Sequence, residues 1–358
     1  MRIPKLDTVA DVLKLLPEKE LESLKNRLVH ILIEKRVFDN WRYKGKLLIA
    51  LDGSGITSYK EQHCQHCLFK IYNKGKDNEK KVWYHNVLEA KLVTSNGFSI
   101  SLATVWIENP DEEYNKQDCE RKAFERMAIK LKKEFPRTSI SILADGLYPY
   151  DNFFNVCKEN NWGYIVTLKE KSLKNLWKNI NGKDREVLTE QFTEHALQVE
   201  QRIQWINNEK FNAHTHNWIQ IDEKRTNSKN KVSKFKFVYL TDLEVNEETI
   251  KDVCTSGRLR WKIEKQGFDQ QKNHGYNICH KYCRNSYTGM KNFYQCCQIA
   301  HMINQLVELA KCFERYIPGK KTIKHLWECL RAFMMFGKIS KLRMETILTH
   351  KTNIQYRE

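Results

Sequence analysis

The sequence predicts an α/β protein in which a mixed sheet with flanking helices is interrupted by a β-rich insertion, with helical regions near both termini. Short apolar runs of strand length alternate with segments whose apolar residues recur at helical spacing, as in a sheet covered by helices. Two β-rich runs flank an Asn-Gly pair, which is a strong hairpin signal. A long stretch of alternating apolar and polar residues then precedes the next helical segment. These observations favour a mixed sheet.

The charge balance indicates a polyanionic partner. The chain of 358 residues has 61 Lys and Arg against 44 Asp and Glu, a formal charge of +17. Such an excess favours nucleic acid through counterion release, although an unspecialised basic protein or a membrane-surface binder has the same balance. No window approaches the roughly 18 apolar residues that span a bilayer. We therefore expect a soluble intracellular protein without membrane association.

The cysteine content indicates the compartment. Eleven cysteines are scattered along a chain that opens without a secretory signal, and the count is odd. This argues for reduced thiols rather than a disulfide framework. We expect a cytoplasmic protein, associated with the bacterial nucleoid if DNA is the partner.

The first 40 residues predict a helical domain. Residues 8–36 have leucines near helical spacing, with a break at Pro17 between two segments. A basic helical start can hold DNA ends, or it can cap the core. The sequence leaves both open.

The next elements predict three antiparallel strands. Residues 46–53 form an apolar run that Gly53 is expected to stop, so that the strand ends at Asp52. Two further strands are expected on either side of Asn96 and Gly97, joined as a hairpin.

Helices and buried strands then alternate. Residues 118–135 predict a helix that Pro136 stops. Strands are expected over 139–145 and 163–169, with a helix between them. The apolar face of the helix over 118–135 is expected to comprise Phe124, Met127, Ala128, Leu131 and Phe135.

The second half of the chain begins with the β-rich insertion. Residues 185–250 alternate between apolar and polar positions and are separated by polar turns. Helical periodicity returns over 258–272, and again over about 288–314 and 322–348.

Three acidic residues lie at conspicuous places in this order. Asp52 and Asp145 are expected at the carboxyl ends of buried strands, where ligands gather at the mouth of an open sheet. Glu264 lies in the helix that follows the insertion. An aspartate at a strand end is by itself more often a turn or cap residue. The combination of the three points to a shared site.

The sequence resembles the acid-triad (DDE) transposases of bacterial insertion sequences, in particular the insertion-sequence 4 group and its relatives. The resemblance spans about residues 45–310. It rests on ALDGSGITS, HNVLEAKLVTSNGFSISLATVWIEN, ILADGLYPY and RWKIEKQGFDQQKNHGYNICH. About 120 residues separate Asp145 from Glu264, far more than a simple connection needs. The family has its insertion at this point.

The resemblance implies a ribonuclease H-like fold. The domains expected from it are a helical N-terminal domain (1–40), a ribonuclease H-like core in two parts (41–172 and 256–315), a β-rich insertion (173–255) and a helical C-terminal region (316–358).

The resemblance also implies a two-metal phosphoryl-transfer site. Two divalent cations neutralise the attacking and leaving oxygens of a phosphodiester, and carboxylates suit Mg²⁺ or Mn²⁺. Asp52, Asp145 and Glu264 are the expected catalytic residues and metal ligands, with Asp52 bridging both ions. The implied reaction is hydrolytic nicking at transposon ends followed by strand transfer into target DNA, by cut-and-paste.

The family's helix signature assigns further roles. It consists of Tyr, then Arg, Glu and Lys at fixed spacings; Arg260 and Glu264 fit, whereas Gly257 takes the Tyr position. Gln271 takes the Lys position, and Lys272 follows one residue later. Residues four apart share a helix face, so Arg260 is expected either to clamp a phosphate beside the metals or to form an ordinary exposed ion pair with Glu264.

Three other residues are also expected at the DNA. Lys272 is predicted to contact it despite the shifted spacing. Trp261 is expected to pack in the core or against a helix rather than to stack on a base, although it is a candidate for DNA contact. Tyr148 is expected either to contact DNA or to be a solvent-facing turn residue.

The implied partners are double-stranded DNA at the terminal inverted repeats and the target, with a dimer forming on DNA. Two alternatives remain open. One is a domesticated transposase-derived DNA-binding protein without transposition activity, against which the intact acid triad argues. The other is a zinc-stabilised nucleic-acid-binding module whose functional feature is its cysteine and histidine cluster.

That cluster has two halves. The first comprises His63, Cys64, His66 and Cys67, and the second comprises Cys279, His280 and Cys283. The Cys-x-x-Cys spacing of the first half is typical of zinc sites, whereas the second half has a looser spacing and must approach the first in space. Zinc is therefore a secondary expectation, with buried or incidental thiols the favoured interpretation.

Overall fold

The computed structural model describes residues 5–110, 116–169, 172–316, 323–350 and 354–357. Within these ranges there are ten strands: β1 Leu47–Tyr59, β2 Leu68–Tyr72, β3 Lys80–Val93, β4 Ser99–Ile107, β5 Ile140–Ala144, β6 Gly163–Thr167, β7 Glu186–Glu194, β8 Leu197–Phe211, β9 His214–Thr226 and β10 Val232–Thr241. The two predicted short strands correspond to β5 and β6. The short strand β2 had no counterpart in the prediction.

The same ranges contain ten α-helices: α1 Leu6–Leu15, α2 Glu18–Glu34, α3 Glu120–Glu134, α4 Asp151–Glu159, α5 Lys174–Ile180, α6 Ile250–Arg258, α7 Gln270–Asn273, α8 Tyr287–Glu308, α9 Ile323–Phe336 and α10 Lys341–Thr349. A π-helix spans Ile263–Asp269, and 3₁₀ turns occur at Asp39–Trp41 and Lys311–Tyr316. The break at Pro17 and the helix over 118–135 are confirmed. The last helical segment, predicted from residue 322, begins at the edge of the described residues.

The strands form one mixed sheet in the order β2-β3-β1-β5-β6-β10-β9-β8-β7, with β4 also paired to β3. Strands β1, β3 and β4 are antiparallel neighbours, whereas β5 is parallel to β1 and β6 is parallel to β5. The long strand β3 pairs with β2 along its first part and with β4 along the rest. The predicted α/β class, a mixed sheet with flanking helices, is confirmed.

Strands β7 to β10 extend this sheet. They form an antiparallel meander, and β10 pairs antiparallel with β6, where Tyr239 lies opposite Thr167. The β-rich stretch between the two helical parts of the chain is therefore continuous with the central sheet through backbone hydrogen bonds.

The two faces of the central sheet carry separate hydrophobic cores. Leu47, Ile49 and Leu51 of β1 belong to the core that α3 covers. Leu48 and Ala50 belong to the core that the π-helix covers. This alternation follows from the two-residue period of a strand. The same alternation, continued beyond Ala50, directs the side chain of Asp52 toward the π-helix.

The helix α3 shows the predicted apolar face. The five residues expected to be buried are all buried: Phe124, Met127, Ala128, Leu131 and Phe135. Ile129, which lies off that face, is 72% exposed.

The N-terminal helices pack on the core. Helices α1 and α2 both contact α8, and α2 also contacts β4. Lys25 of α2 is completely buried and its Nζ donates to Ser101 Oγ at 2.9 Å. Val29 lies in the core that α3 covers. Of the two alternatives that the sequence left open, these contacts match the helical cap.

Candidate active site

Asp52 lies within β1 rather than at its end. We expected Gly53 to stop this strand, which is wrong: β1 continues to Tyr59 because its backbone goes on pairing with β3. Its pairing with β5, by contrast, stops at Ala50. On one side, the backbone of Asp52 is therefore paired with the antiparallel strand β3. On the other side, Asp52 lies two residues beyond the last residue of β1 that pairs with the parallel strand β5.

Asp145 comes directly after β5, as predicted. The last paired residues of β1 and β5 are Ala50 and Leu143, and each aspartate is two residues further along its chain. Ala50 and Leu143 both belong to the core under the π-helix. Because side chains alternate along a strand, the two aspartates lie at the same end of adjacent strands and toward the same face.

Two contacts orient the Asp145 carboxylate. Its Oδ1 accepts a hydrogen bond from the Leu147 backbone N–H at 2.8 Å, as in an Asx turn. Its Oδ2 is 3.3 Å from Lys169 Nζ. Lys169 follows β6 and was not identified as a site residue from the sequence.

Glu264 lies on the π-helix that covers this face. Ile263 and Phe268, five residues apart as the wide π-turn requires, are both buried in the core under the helix. Gly267 allows the close approach, since a Cβ there would lie 3.1 Å from Ser99 Oγ. Single π-turns inside helices are frequent at functional sites.

Arg260 holds Glu264 as its position four residues earlier suggested. Arg260 Nη1 is 2.9 Å from Glu264 Oε1. The arginine side chain is 7% exposed and the glutamate side chain 37% exposed. The pair is therefore not the exposed one that the sequence allowed: a buried guanidinium anchors a carboxylate that remains partly open to solvent.

Burial and the neighbouring carboxylates both raise the pKa of Asp52. Its pKa is raised to about 7, first by burial and then by the negative charge of Glu264. Arg260 opposes this rise, whereas Glu120 and Asp145 add to it. Asp145 and Glu264, the other two acids that the sequence singled out, thus lie close enough to Asp52 to raise its pKa, and a fourth acid joins them.

The fourth acid, Glu120, was missed from the sequence. It is the first residue of α3, and its carboxylate lies against the backbone of Gly53, where an added Cβ would be 2.5 Å from Oε2. Burial raises the pKa of Glu120, and the hydrogen bond from Tyr148 opposes that rise. An acid in the first turn of a helix is common because of the helix dipole, so nothing in the sequence distinguishes this one.

Tyr148 is not at the surface. We expected it to contact DNA or to face solvent, and both expectations are wrong: its side chain is completely buried and packs on Phe124 and Phe153. The Tyr148 hydroxyl donates to Glu120 Oε1 at 2.8 Å. Its place in the structure is to hold that carboxylate.

Trp261 is on the surface rather than in the core. Its side chain is 46% exposed, so the expectation of core packing is wrong. The guanidinium carbon of Arg260 lies 4.5 Å from the Trp261 ring centroid, a cation–π arrangement. The other expectation for Trp261, contact with DNA, stays a prediction.

The side chain of Lys272 contacts β1, the strand that carries Asp52. Its Nζ donates to Ser54 Oγ at 2.7 Å, and Ser54 is two residues from Asp52 on the same strand. Gln271, by contrast, is completely buried and is bonded to Lys91 and Gln298. The lysine, not the glutamine, is therefore the residue of this turn that projects toward the carboxylates.

The second half of the predicted cysteine and histidine cluster lies elsewhere. Cys279 Sγ is 3.8 Å from the Gly55 carbonyl, and Cys283 Sγ is 4.0 Å from the Ala10 carbonyl. In the described ranges neither thiol joins the first half, so the expectation that the two halves combine is wrong.

Comparison of the chain with protein-family models gave no match, and comparison with curated proteins gave none either. In the part of the chain that the structure describes, we find no helix with the length and apolar character needed to cross a membrane. The geometry and chemistry of the carboxylate cluster are therefore the basis for assigning a function.

We expect Asp52→Asn to stabilise the metal-free protein at alkaline pH. The raised pKa means that the stability contributed by the protonated carboxyl, complete below the unfolded pKa of about 3.9, is lost as pH rises through about 7. Asparagine cannot ionise, so the variant should gain about 1–3 kcal/mol at about pH 8 and almost nothing near pH 4. Chemical denaturation in the presence of a chelator measures this.

Asp77→Asn is the matched control for that comparison, because Asp77 is exposed. It should leave the free energy of unfolding nearly unchanged at both pH values. A loss of stability in Asp52→Asn at alkaline pH would contradict the description of Asp52 as a carboxylate destabilised by its neighbours.

Proposed function

We propose that this chain is a DNA transposase with a ribonuclease H-like catalytic core, which cleaves DNA strands at transposon ends and transfers them to target DNA. The observation that carries the proposal is the convergence of Asp52, Asp145 and Glu264 on one face of the sheet. They come from three separate parts of the chain and affect one another electrostatically at Asp52. Charged groups are not brought together in this way for packing alone, since their repulsion costs stability.

The strand order supports the same fold. Three antiparallel strands, β4, β3 and β1, are followed across the sheet by β5 and β6, both parallel to β1. Asp52 lies on β1 and Asp145 directly follows β5, its parallel neighbour, and the glutamate lies on a helix after the β-rich stretch. This is the arrangement that the resemblance implied.

The carboxylate cluster fits divalent cations. Its donors are hard oxygen atoms, which suit Mg²⁺ or Mn²⁺. Burial first, and then the negative charge of Glu264, raise the pKa of Asp52, and the positive charge of Arg260 offsets this rise only in part. Asp52, Asp145 and Glu264 would hold the ions, which would supply charge neutralisation for phosphoryl transfer.

The chain's own cations would position the DNA strand. Arg260 fixes the carboxylate of Glu264 through its Nη1. Lys169 and Lys272 lie at Asp145 and Ser54 respectively. Such side chains bind the phosphate backbone and add no sequence information. The exposed indole of Trp261 beside Arg260 offers a surface on which a displaced base can stack.

The π-turn accounts for the one-residue departure from the family's helix signature. In a regular α-helix, the residue seven positions after Glu264 lies on the same face as Glu264. Lys272 lies eight positions after Glu264, one position too far for that spacing. One α-turn and one wider π-turn together take up about eight residues. The extra residue of the π-turn therefore offsets the shift and keeps Lys272 on the side of Glu264.

The test of this function is cleavage of labelled DNA that carries the inverted repeats flanking the coding region, with Mg²⁺ or Mn²⁺. We expect nicking at the element boundary. Asp52→Asn, Asp145→Asn and Glu264→Gln should each lower its rate by roughly 10³-fold, because each removes a carboxylate worth several kcal/mol in the transition state. The exposed-site control Asp77→Asn should cleave normally.

Cleavage that persists in a chelator, or that all three variants retain, would contradict the proposal. Tight binding of these ends by every protein without any cleavage would instead indicate a DNA-binding protein that has lost transposition.

Lys272→Ala should weaken DNA binding in a salt-dependent way. If Lys272 neutralises one phosphate, the slope of log affinity against log salt should fall by about 1. Fluorescence anisotropy at several salt concentrations measures that slope. Lys133→Ala is the matched control, because Lys133 is an exposed lysine on α3, which covers the opposite face of the sheet. Equal effects of the two substitutions would show that Lys272 contributes only general charge.

A further inference from the structure

A cluster of sulfur and nitrogen atoms lies at the far end of β1, away from the carboxylates. The segment between β1 and β2 carries the Cys64-x-x-Cys67 pair. Cys67 directly precedes β2 and is completely buried, and Cys64 is partly buried. Both thiols are free.

A third group completes the cluster from another strand. His85 of β3 is completely buried and lies opposite Thr57 of β1. Its Nε2 is 3.5 Å from Cys64 Sγ and 3.4 Å from Cys67 Sγ, and the two sulfur atoms are 3.8 Å apart. The three atoms thus form a nearly equilateral triangle.

These separations match the edges of a zinc tetrahedron. With Zn–S of 2.3 Å and Zn–N of 2.0–2.1 Å, tetrahedral angles place two sulfurs about 3.8 Å apart and a sulfur and a nitrogen about 3.5 Å apart. A disulfide requires about 2.05 Å between the sulfurs, so the two thiols are not joined. A single zinc ion bonded to all three atoms would give these separations.

His63 offers the fourth ligand. The ligand atoms of His63, Cys64 and His85 lie within 4.8 Å of one another. The His63 ring is stacked on Tyr59, the last residue of β1, with centroids 4.3 Å apart. This stacking holds the imidazole beside Cys64 and His85.

The neighbouring histidine points elsewhere. His66 Nδ1 lies 3.3 Å from the Asn109 carbonyl, and the His66 ring stacks on Tyr287 with centroids 4.8 Å apart. The contact with Asn109 thus engages one ring nitrogen of His66 outside the triangle. Of the two histidines in the His-Cys-x-His-Cys segment, His63 is the one whose ligand atom lies within 4.8 Å of those of Cys64 and His85.

We propose that His63, Cys64, Cys67 and His85 form a structural zinc site. Two thiolates and two imidazoles are a usual ligand set for structural zinc, and soft sulfur ligands disfavour Mg²⁺. Binding releases the two thiol protons to solvent. The ion closes the loop between β1 and β2 onto β3, and so clamps the strand that carries Asp52.

The first test is the zinc content of the purified full-length chain, measured by inductively coupled plasma mass spectrometry after gel filtration. We expect about one zinc per chain. The double variant Cys64→Ser, Cys67→Ser should lose it. The matched control Cys279→Ser, Cys283→Ser removes two other thiols and should retain it, as should Asp52→Asn. Absence of zinc from the native chain, or its loss in the control, would overturn the proposal.

A second measurement avoids reliance on variants that fail to fold. The native chain, stripped of metal by a chelator and reloaded with Co²⁺, should show intense visible absorption of a tetrahedral site and thiolate-to-cobalt charge transfer. Reloading should also raise the melting temperature, because an ion that binds only the folded state stabilises it. Weak octahedral absorption alone would overturn the zinc site, whether or not the chain cleaves DNA.

Discussion

The parallel register between β1 and β5 is the constraint on which the site depends. Pairing of Ala50 with Leu143 places Asp52 and Asp145 side by side and toward the same core. A slip of one residue would turn one aspartate to the face that α3 covers. The apolar residues before each aspartate favour this register, because those of β1 alternate between the two cores and Leu143 of β5 faces the opposite core from Ile142 and Ala144.

The cost of this arrangement is electrostatic. Asp52 is largely removed from water beside other carboxylates, and burial is the main reason that its pKa rises. Arg260 offsets part of the repulsion and Lys169 neutralises part of the charge on Asp145. A bound cation would offset the remainder. The free protein is thus expected to be less stable than its metal complex.

Much of the fold was predictable because it depends on local patterns. The Asn-Gly hairpin, the break at Pro17 and the apolar face of α3 each follow from residues close in sequence. The strand end at Gly53 was not predicted correctly, because pairing with β3 overrides the local signal. A glycine can continue a strand whenever a neighbour satisfies its backbone.

The three acids of the site were singled out from the sequence, whereas its supporting residues were not. In the sequence, Glu120 is an ordinary acid in the first turn of a helix. Only the folded structure brings it against Gly53 and gives it Tyr148 as a hydrogen-bond partner. His85 is likewise an ordinary strand residue in the sequence. Only the pairing of β3 with β1 and β2 brings it to the two cysteines, whereas residues 279–283, the partner that the sequence offered as an alternative, lie elsewhere.

The most direct test of the carboxylate site is Mn²⁺ binding, measured by electron paramagnetic resonance as loss of the free-ion signal. We expect the native chain to bind Mn²⁺, Asp52→Asn to abolish binding, and Glu264→Gln to weaken it. Such a result would establish that the converging acids form a cation site. Unchanged Mn²⁺ binding in Asp52→Asn, with the protein still folded, would contradict that claim.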